Sequence, residues 1–317
     1  MNSKTKIIFM GTSAFAETIL SSLIEEKFII LSVFTQPPKK VGRRHILQKS
    51  RVHLLAEKNN LPIAMPYKID EEIIREVESQ NPDLIIVAAY GKILPEKLLI
   101  IPRFGSLNVH ASLLPKFRGP SPIQNAILAG EKETGITIML MDKGVDTGEI
   151  ISQRKIRIGG KETALELSEH LAKIGSELLI ETLPKWIAGK IKAEPQDNSL
   201  ATLCQLVERE DGHIVWSEDA ETIFNKFRAL QPWPGIFTFW EKNGQSLRLK
   251  INKINLIKDD LDENFHIGEV IKIDSRIGIK TGRGIIFPEK VQPEGKLEMS
   301  ICEFINGQKT FVGSILK

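Results

Sequence analysis

The chain has 317 residues, 42% of them hydrophobic, and a formal net charge of +3. That length exceeds what one hydrophobic core commonly supports and predicts two domains, and the composition excludes a disordered chain. Cys204 and Cys302 are its two cysteines. They make neither a disulfide framework nor a thiolate metal site, and no His or Asp motif accompanies either as a nucleophile. No apolar run is long enough for a bilayer, and Ile7-Ile8-Phe9-Met10 is too short for a secretion signal, so a cytoplasmic protein is expected.

The charge is unevenly spread. No Asp or Glu occurs from Thr35 to Ala56, where Lys39, Lys40, Arg43, Arg44, Lys49 and Arg51 fall. None occurs from Lys242 to Lys258, which holds Arg248, Lys250 and Lys253. Taken singly, each basic stretch is as readily a solvated surface as a contact for a polyanion.

In chain order, Lys6 to Met10 reads as a buried strand, Ala14 to Glu26 as a helix with Phe15, Ile19, Leu20, Leu23 and Ile24 on one face, and Ile29 to Phe34 as a second strand. Val52 to Lys58 and Asp70 to Ser79 read as helices, the latter capped by Asp70. Leu84 to Ala89 is a continuous apolar run, as in a parallel strand buried on both faces. Leu107 to His110, Ile136 to Met141 and Glu149 to Ile158 read as further strands, and Ala164 to Leu183 as a long helix. Alternating strands and helices predict an α/β domain over residues 1–189, a Rossmann-like, doubly wound, mostly parallel sheet with a basic insertion at about 36–52. Residues 190–209 carry no periodicity and are expected as a linker. From 210 to 317, a helix at Glu221 to Leu230 precedes short alternating segments at Ser246 to Ile251, Val270 to Ile273 and Gly284 to Phe287, the pattern of a smaller β-barrel.

The first turn, Gly11-Thr12-Ser13-Ala14-Phe15-Ala16, has one glycine where a dinucleotide fingerprint needs three, so NAD is not expected. No ligand spacing predicts a metal. Asp146-Thr147-Gly148 matches an aspartic protease over three residues only, and that chemistry needs two such motifs.

Asn108 and His110 are two apart on a strand, so both side chains leave one face at the strand's end. Asp146 follows in a loop between Gly144 and Gly148. Acyl transfer to an amine needs a donor for a tetrahedral oxyanion, which the Asn108 amide supplies, and a proton carrier near neutral pH, which His110 supplies. A carboxylate such as Asp146 orients the imidazole. Spacing alone also admits a satisfied strand-end His with a turn-forming Asp, and does not name a substrate.

The motifs settle on a family. Asn108-Val109-His110-Ala111-Ser112-Leu113-Leu114-Pro115, then Arg118-Gly119 and Pro122-Ile123-Gln124, resemble the signature of the 10-formyltetrahydrofolate-dependent formyltransferases. Glu133 to Ile138 and Asp142-Lys143-Gly144-Val145-Asp146-Thr147-Gly148 continue it. The resemblance implies a formyl transferase with Asn108, His110 and Asp146 catalytic, 10-formyltetrahydrofolate as co-substrate, and folate contacts from Ser112, Leu113, Leu114, Pro115 and Ile93. Phe34-Thr35-Gln36-Pro37, Ala89 to Pro95 and Pro232-Trp233-Pro234-Gly235 are similar to the branch that formylates initiator methionyl-tRNA in translation initiation. That branch implies a wedge loop with Arg43 as its key arginine, and RNA contacts from Lys39, Lys40, Arg44, Lys49, Arg51, Arg248 and Lys250. It also implies an OB-like C-terminal barrel and a monomer. Many relatives carry Pro where this chain has Ser13, and a Pro-Ser-Pro segment where it has Lys49-Ser50-Arg51. Two other readings are a formyltransferase acting on an amino sugar nucleotide, which needs no basic arm, and a silent RNA-binding protein on the same scaffold, which needs no intact triad.

Overall fold

A computed structural model describes residues 4–41, 46–258 and 265–317. The chain forms two compact units: Met1–Ile123 with Lys132–Ile158 and Glu166–Gln205, and Gln124–Glu131 with Gly159–Leu165 and Leu206–Lys317.

The first unit follows the chain as β1 (Lys6–Gly11), α1 (Ala14–Glu25), β2 (Ile29–Phe34), the hairpin β3 (Lys39–Val41) and β4 (Ile46–Gln48), α2 (Arg51–Lys58), β5 (Ile63–Ala64) and α3 (Glu71–Ser79). It continues with β6 (Leu84–Ala88), α4 (Glu96–Leu99), β7 (Ser106–His110), α5 (Pro122–Leu128, of which Gln124 onward belongs to the second unit), β8 (Glu133–Leu140), β9 (Ile150–Arg157) and α6 (Ala164–Ile187). The seven-stranded sheet runs β5-β2-β1-β6-β7-β8-β9. Its first five strands are parallel, and β8 and β9 are antiparallel additions. The expected doubly wound, mostly parallel sheet is present.

β6 is buried along its whole length because helices cover both faces. On one face Ile8, Met10, Phe34, Ile85 and Val87 pack with Ile74 and Val77 of α3 and Leu98 and Leu99 of α4. On the other, α1 buries Phe15, Ile19, Leu20 and Leu23. Gly175 of α6 comes so close to Val109, Ile136 and Ile19 that a Cβ there would lie 3.1 Å from Val109. Burying each such aliphatic side chain contributes roughly 1.5–3 kcal/mol.

Local chemistry sets the helix starts. Asp70 Oδ1 accepts from the amides of Glu72 and Ile73, as its capping role predicts. Two serines cap their helices in the same way: Ser13 Oγ accepts from Ala16 N, and Ser50 Oγ from His53 N at 3.0 Å. α6 runs past its expected end at Leu183 and through Pro184, and its last turn is tied down by Trp186 Nε1 donating to the Phe104 carbonyl at 2.9 Å.

The second unit adds α7 (Ala220–Ala229), β10 (Ile236–Lys242), β11 (Gln245–Ile257), β12 (Val270–Ile273), β13 (Arg276–Lys280), β14 (Ile285–Pro293), β15 (Met299–Ser300) and α8 (Ile301–Gly307). The sheet order is β10-β11-β14-β13-β12, with β15 on β14. Its two edges, β10 and β12, are joined by residues 313–317. Phe239 and Lys317 exchange both backbone bonds, Val270 N donates to Ser314 O, and Leu316 N donates to Gly268 O. The sheet thereby curls into a barrel. At one end, Trp240, Phe304 and Phe311 pack edge to face, with centroids 5.0 to 5.9 Å apart.

Candidate active site

β7 lies between parallel β6 and antiparallel β8, and it delivers Asn108 and His110 from one face at its carboxyl end. The β8–β9 loop then turns back on itself. Asp142 Oδ1 accepts from Gly144 N and Thr147 Oγ1, and a side chain at Gly148 would collide with the Leu140 carbonyl. Asp146 sits in the left-handed region at φ 53. That conformation costs a non-glycine residue on the order of 1 kcal/mol.

The structure brings Asn108, His110 and Asp146 together. Asn108 Nδ2 donates to Asp146 Oδ1 at 3.2 Å, and Gly119 N donates to Asp146 Oδ2 at 2.8 Å. His110 Nδ1 lies 3.6 Å from Asp146 Oδ2, and its Nε2 is 3.0 Å from the Phe117 carbonyl. The carbonyl can only accept, so Nε2 carries the hydrogen on that side. His110 is 6% and Asp146 13% exposed at the side chain, which keeps their interaction largely out of water.

The loop after β7 is anchored from below. Thr137 Oγ1 donates to the Ser112 carbonyl and accepts from Leu114 N, while Gln153 Nε2 donates to the Leu114 carbonyl. The side chains of Ser112 and Leu114 are buried, so this loop can offer a ligand its backbone together with the half-buried Leu113 and Pro115. Ile93, in the loop after β6, is 84% exposed.

Three residues to which the sequence reading gave no role at the site complete the surroundings. Arg118 is buried and donates through Nε and Nη2 to Gln196 Oε1 at 3.0 and 2.8 Å, and through Nη2 to Asn198 Oδ1. Gln196 Nε2 donates onward to the carbonyls of Asp146 and Gly148 at 2.9 and 2.7 Å. Cys204 Sγ donates to the Phe117 carbonyl, the acceptor His110 also faces; burial, with a smaller contribution from Asp146, raises its thiol pKa. Of residues 190–209, expected as a linker, residues 190–205 belong to the first unit. The Arg118-Gly119 motif was visible in the sequence, but its partners lie some eighty positions away in a stretch without periodicity.

Of the basic residues, Lys39 and Lys40 are exposed on β3, and Arg51 is exposed at the start of α2. Lys49 is tied to Glu57 at 2.5 Å. Arg43 and Arg44 lie outside the described residues. Arg248 and Lys250 sit two apart on β11, with the Arg248 guanidinium 3.7 Å over the Phe237 ring. Burial, and then neighbouring Arg209, lowers the Arg248 pKa; burial, and then Arg248, lowers that of Lys250. Among the described residues no cluster of three His, Cys, Asp or Glu could hold a metal, and no helix is long and apolar enough to cross a membrane.

Family models agree with this layout. Residues 5–183 match the formyl transferase model, and residues 206–309 match the formyl transferase C-terminal domain. The fold and site therefore define a formyl transferase. A methionyl-tRNA formyltransferase from Caldanaerobacter subterraneus is 42% identical over 98% of this chain and 100% of its own length. One from Caldicellulosiruptor saccharolyticus is 43% identical over 98% and 99%. Among solved structures, an N-formyltransferase from Helicobacter canadensis, in complex with folinic acid and dTDP-3-aminofucose, superposes with a TM-score of 0.66 at 21% identity, covering 90% of this chain and 99% of its own. HypX from Aquifex aeolicus, in complex with tetrahydrofolic acid, gives 0.65 at 16% identity over 98% of this chain and 48% of its own. The chain belongs to the methionyl-tRNA formyltransferase family.

Proposed function

We propose that this chain transfers the formyl group of 10-formyltetrahydrofolate to the α-amino group of methionine on initiator methionyl-tRNA, in the cytoplasm, as a step of translation initiation. The observation that carries the reading is the Asn108–His110–Asp146 cluster at the carboxyl end of β7, in a chain 42% identical over its length to a methionyl-tRNA formyltransferase.

The site suits a folate. The loop at Ser112 to Pro115 presents backbone groups beside Leu113 and Pro115, and Ile93 offers an exposed apolar side chain, the mixture a flat heteroaromatic ring requires. Bound there, the donor supplies the formyl carbonyl. The Asn108 amide has two hydrogens; one is held by Asp146 Oδ1, and the second remains for the negative charge that develops on the carbonyl oxygen. His110 Nδ1, facing the Asp146 carboxylate, takes the proton from the attacking amine and returns it to the departing nitrogen. Asp146 holds the ring and balances the charge it gains. None of these steps needs a covalent bond to the enzyme, in keeping with the buried, raised-pKa thiol of Cys204.

Residues 1–189 form the catalytic domain in this reading, and 210–317 contact the tRNA as a monomer's second domain. Lys39, Lys40, Arg51, Arg248 and Lys250, with Arg43 and Arg44, supply phosphate contacts. The test is a formyl-transfer assay with methionyl initiator tRNA run beside amino sugar nucleotides. Formylmethionyl-tRNA formed by the wild type and lost in His110→Ala is the expected result. Transfer to the sugar alone overturns the acceptor assignment.

A further inference from the structure

We infer that Gln196 and Arg118 are positioning residues that hold Asp146 in its working conformation. The inference rests on the reading of Asp146 given above.

The argument begins with a conformation the chain does not adopt cheaply. Asp146 has φ 53, which aims its carboxylate at Asn108, His110 and the Gly119 amide at once. Relaxation to an ordinary φ would swing the carboxylate off these partners. Something must oppose that relaxation. The Gln196 side-chain amide does so, because it donates to two backbone carbonyls at and just after the strained residue, those of Asp146 and Gly148.

An amide can sit either way round, and only one way places hydrogens on both carbonyls. Arg118 makes that choice. Its guanidinium donates twice to Gln196 Oε1, so a flipped amide would set NH₂ against a cation. Asn198 Oδ1 holds the guanidinium from another side. Arg118 is 6% and Gln196 9% exposed, and neither bonds directly to Asn108, His110 or the Asp146 carboxylate in the contacts above. The pair acts through the backbone of residue 146.

Gln196→Glu is the sharpest probe. It keeps shape and an acceptor for Arg118 but replaces the two donated hydrogens by an anion facing two carbonyls. The expected result is a fall in single-turnover transfer of about tenfold or more, with KM for tRNA and for the folate donor within about twofold. In an Asp146→Asn background the same change should have almost no further effect, because both act on one group. Arg118→Lys, which keeps the charge but loses the paired donors, should show a smaller loss with the same non-additivity. Circular dichroism confirms folding of each variant. A rate within about twofold of wild type in Gln196→Glu, or an equal loss in both backgrounds, would overturn the clamp. An Asp146→Asn variant as active as wild type would overturn the site reading itself, and the clamp with it.

Discussion

Gly119 donates its backbone amide to Asp146 Oδ2 at 2.8 Å, and it does so from a position no side chain could occupy. Its φ is 121, and a Cβ there would lie 2.5 Å from the Cys204 carbonyl. That carbonyl belongs to a residue whose own amide is bonded to Arg118 O at 2.8 Å, so it cannot simply retreat. Gly119→Ala is therefore expected to cost about 1–3 kcal/mol of stability and to lower transfer by displacing the amide from Asp146. Thermal unfolding and turnover measured on the same preparation check both effects; a variant unchanged in both would show that the loop adapts.

Removing the chemistry directly should be harsher. Asn108→Ala takes away the oxyanion donor and is expected to reduce kcat by roughly 10²–10³, while His110→Ala should reduce it at least as far. Binding of methionyl initiator tRNA should change little in either variant, because neither side chain belongs to the basic surface. Comparable losses in tRNA affinity and kcat would count against the division of roles.

Affinity for the tRNA should fall steeply with salt. Changing Lys39 and Lys40 together to Gln should reduce the slope of log K against log salt by up to about one unit per lost phosphate contact. An unchanged slope would return these exposed lysines to an ordinary solvated surface.

Tyr90 carries a further prediction about stability. Its side chain is 2% exposed, and its hydroxyl has no partner among the described residues. Burial pushes the phenol up to about 12 from an ordinary 10. A raised folded-state value means that the phenol leaves stability independent of pH below pH 10 and lowers it as pH rises toward 12, because the unfolded chain ionises first. Tyr90→Phe removes an unpaired buried hydroxyl, so it should be neutral or stabilising by about 1 kcal/mol near pH 7 and should flatten the alkaline decline. Urea denaturation across that range tests the sign; a clear destabilisation at neutral pH would mean the hydroxyl is satisfied.

Much of this fold was legible because periodicity reports burial directly. The uniformly apolar Leu84–Ala88 could only be a strand covered on both faces, and Asp70 announced its helix by a cap that needs no tertiary partner. The β3–β4 hairpin was not legible: its residues alternate weakly, and its pairing spans the basic insertion. The expected end of α6 at Leu183 fell short, since a tertiary bond from Trp186 holds a last turn beyond Pro184 that periodicity does not report. At the site, Asn108 and His110 were legible as a same-face pair and Asp146 through its glycine-bracketed loop. Gln196 was not, because its meaning lies in contacts with Arg118 and the Asp146 carbonyl, across 78 and 50 positions of chain.

The segment at residues 313–317 does more than complete a count of strands. By bonding to β10 and to β12 it occupies backbone groups that would otherwise line two open sheet edges. Those edges include Phe239 and Val270, residues suited to pairing with any passing strand. Displacing the segment, for example by Leu316→Asp at a buried position, should therefore produce a protein that self-associates into aggregates before it unfolds. The short strap is in this sense a safeguard against polymerisation.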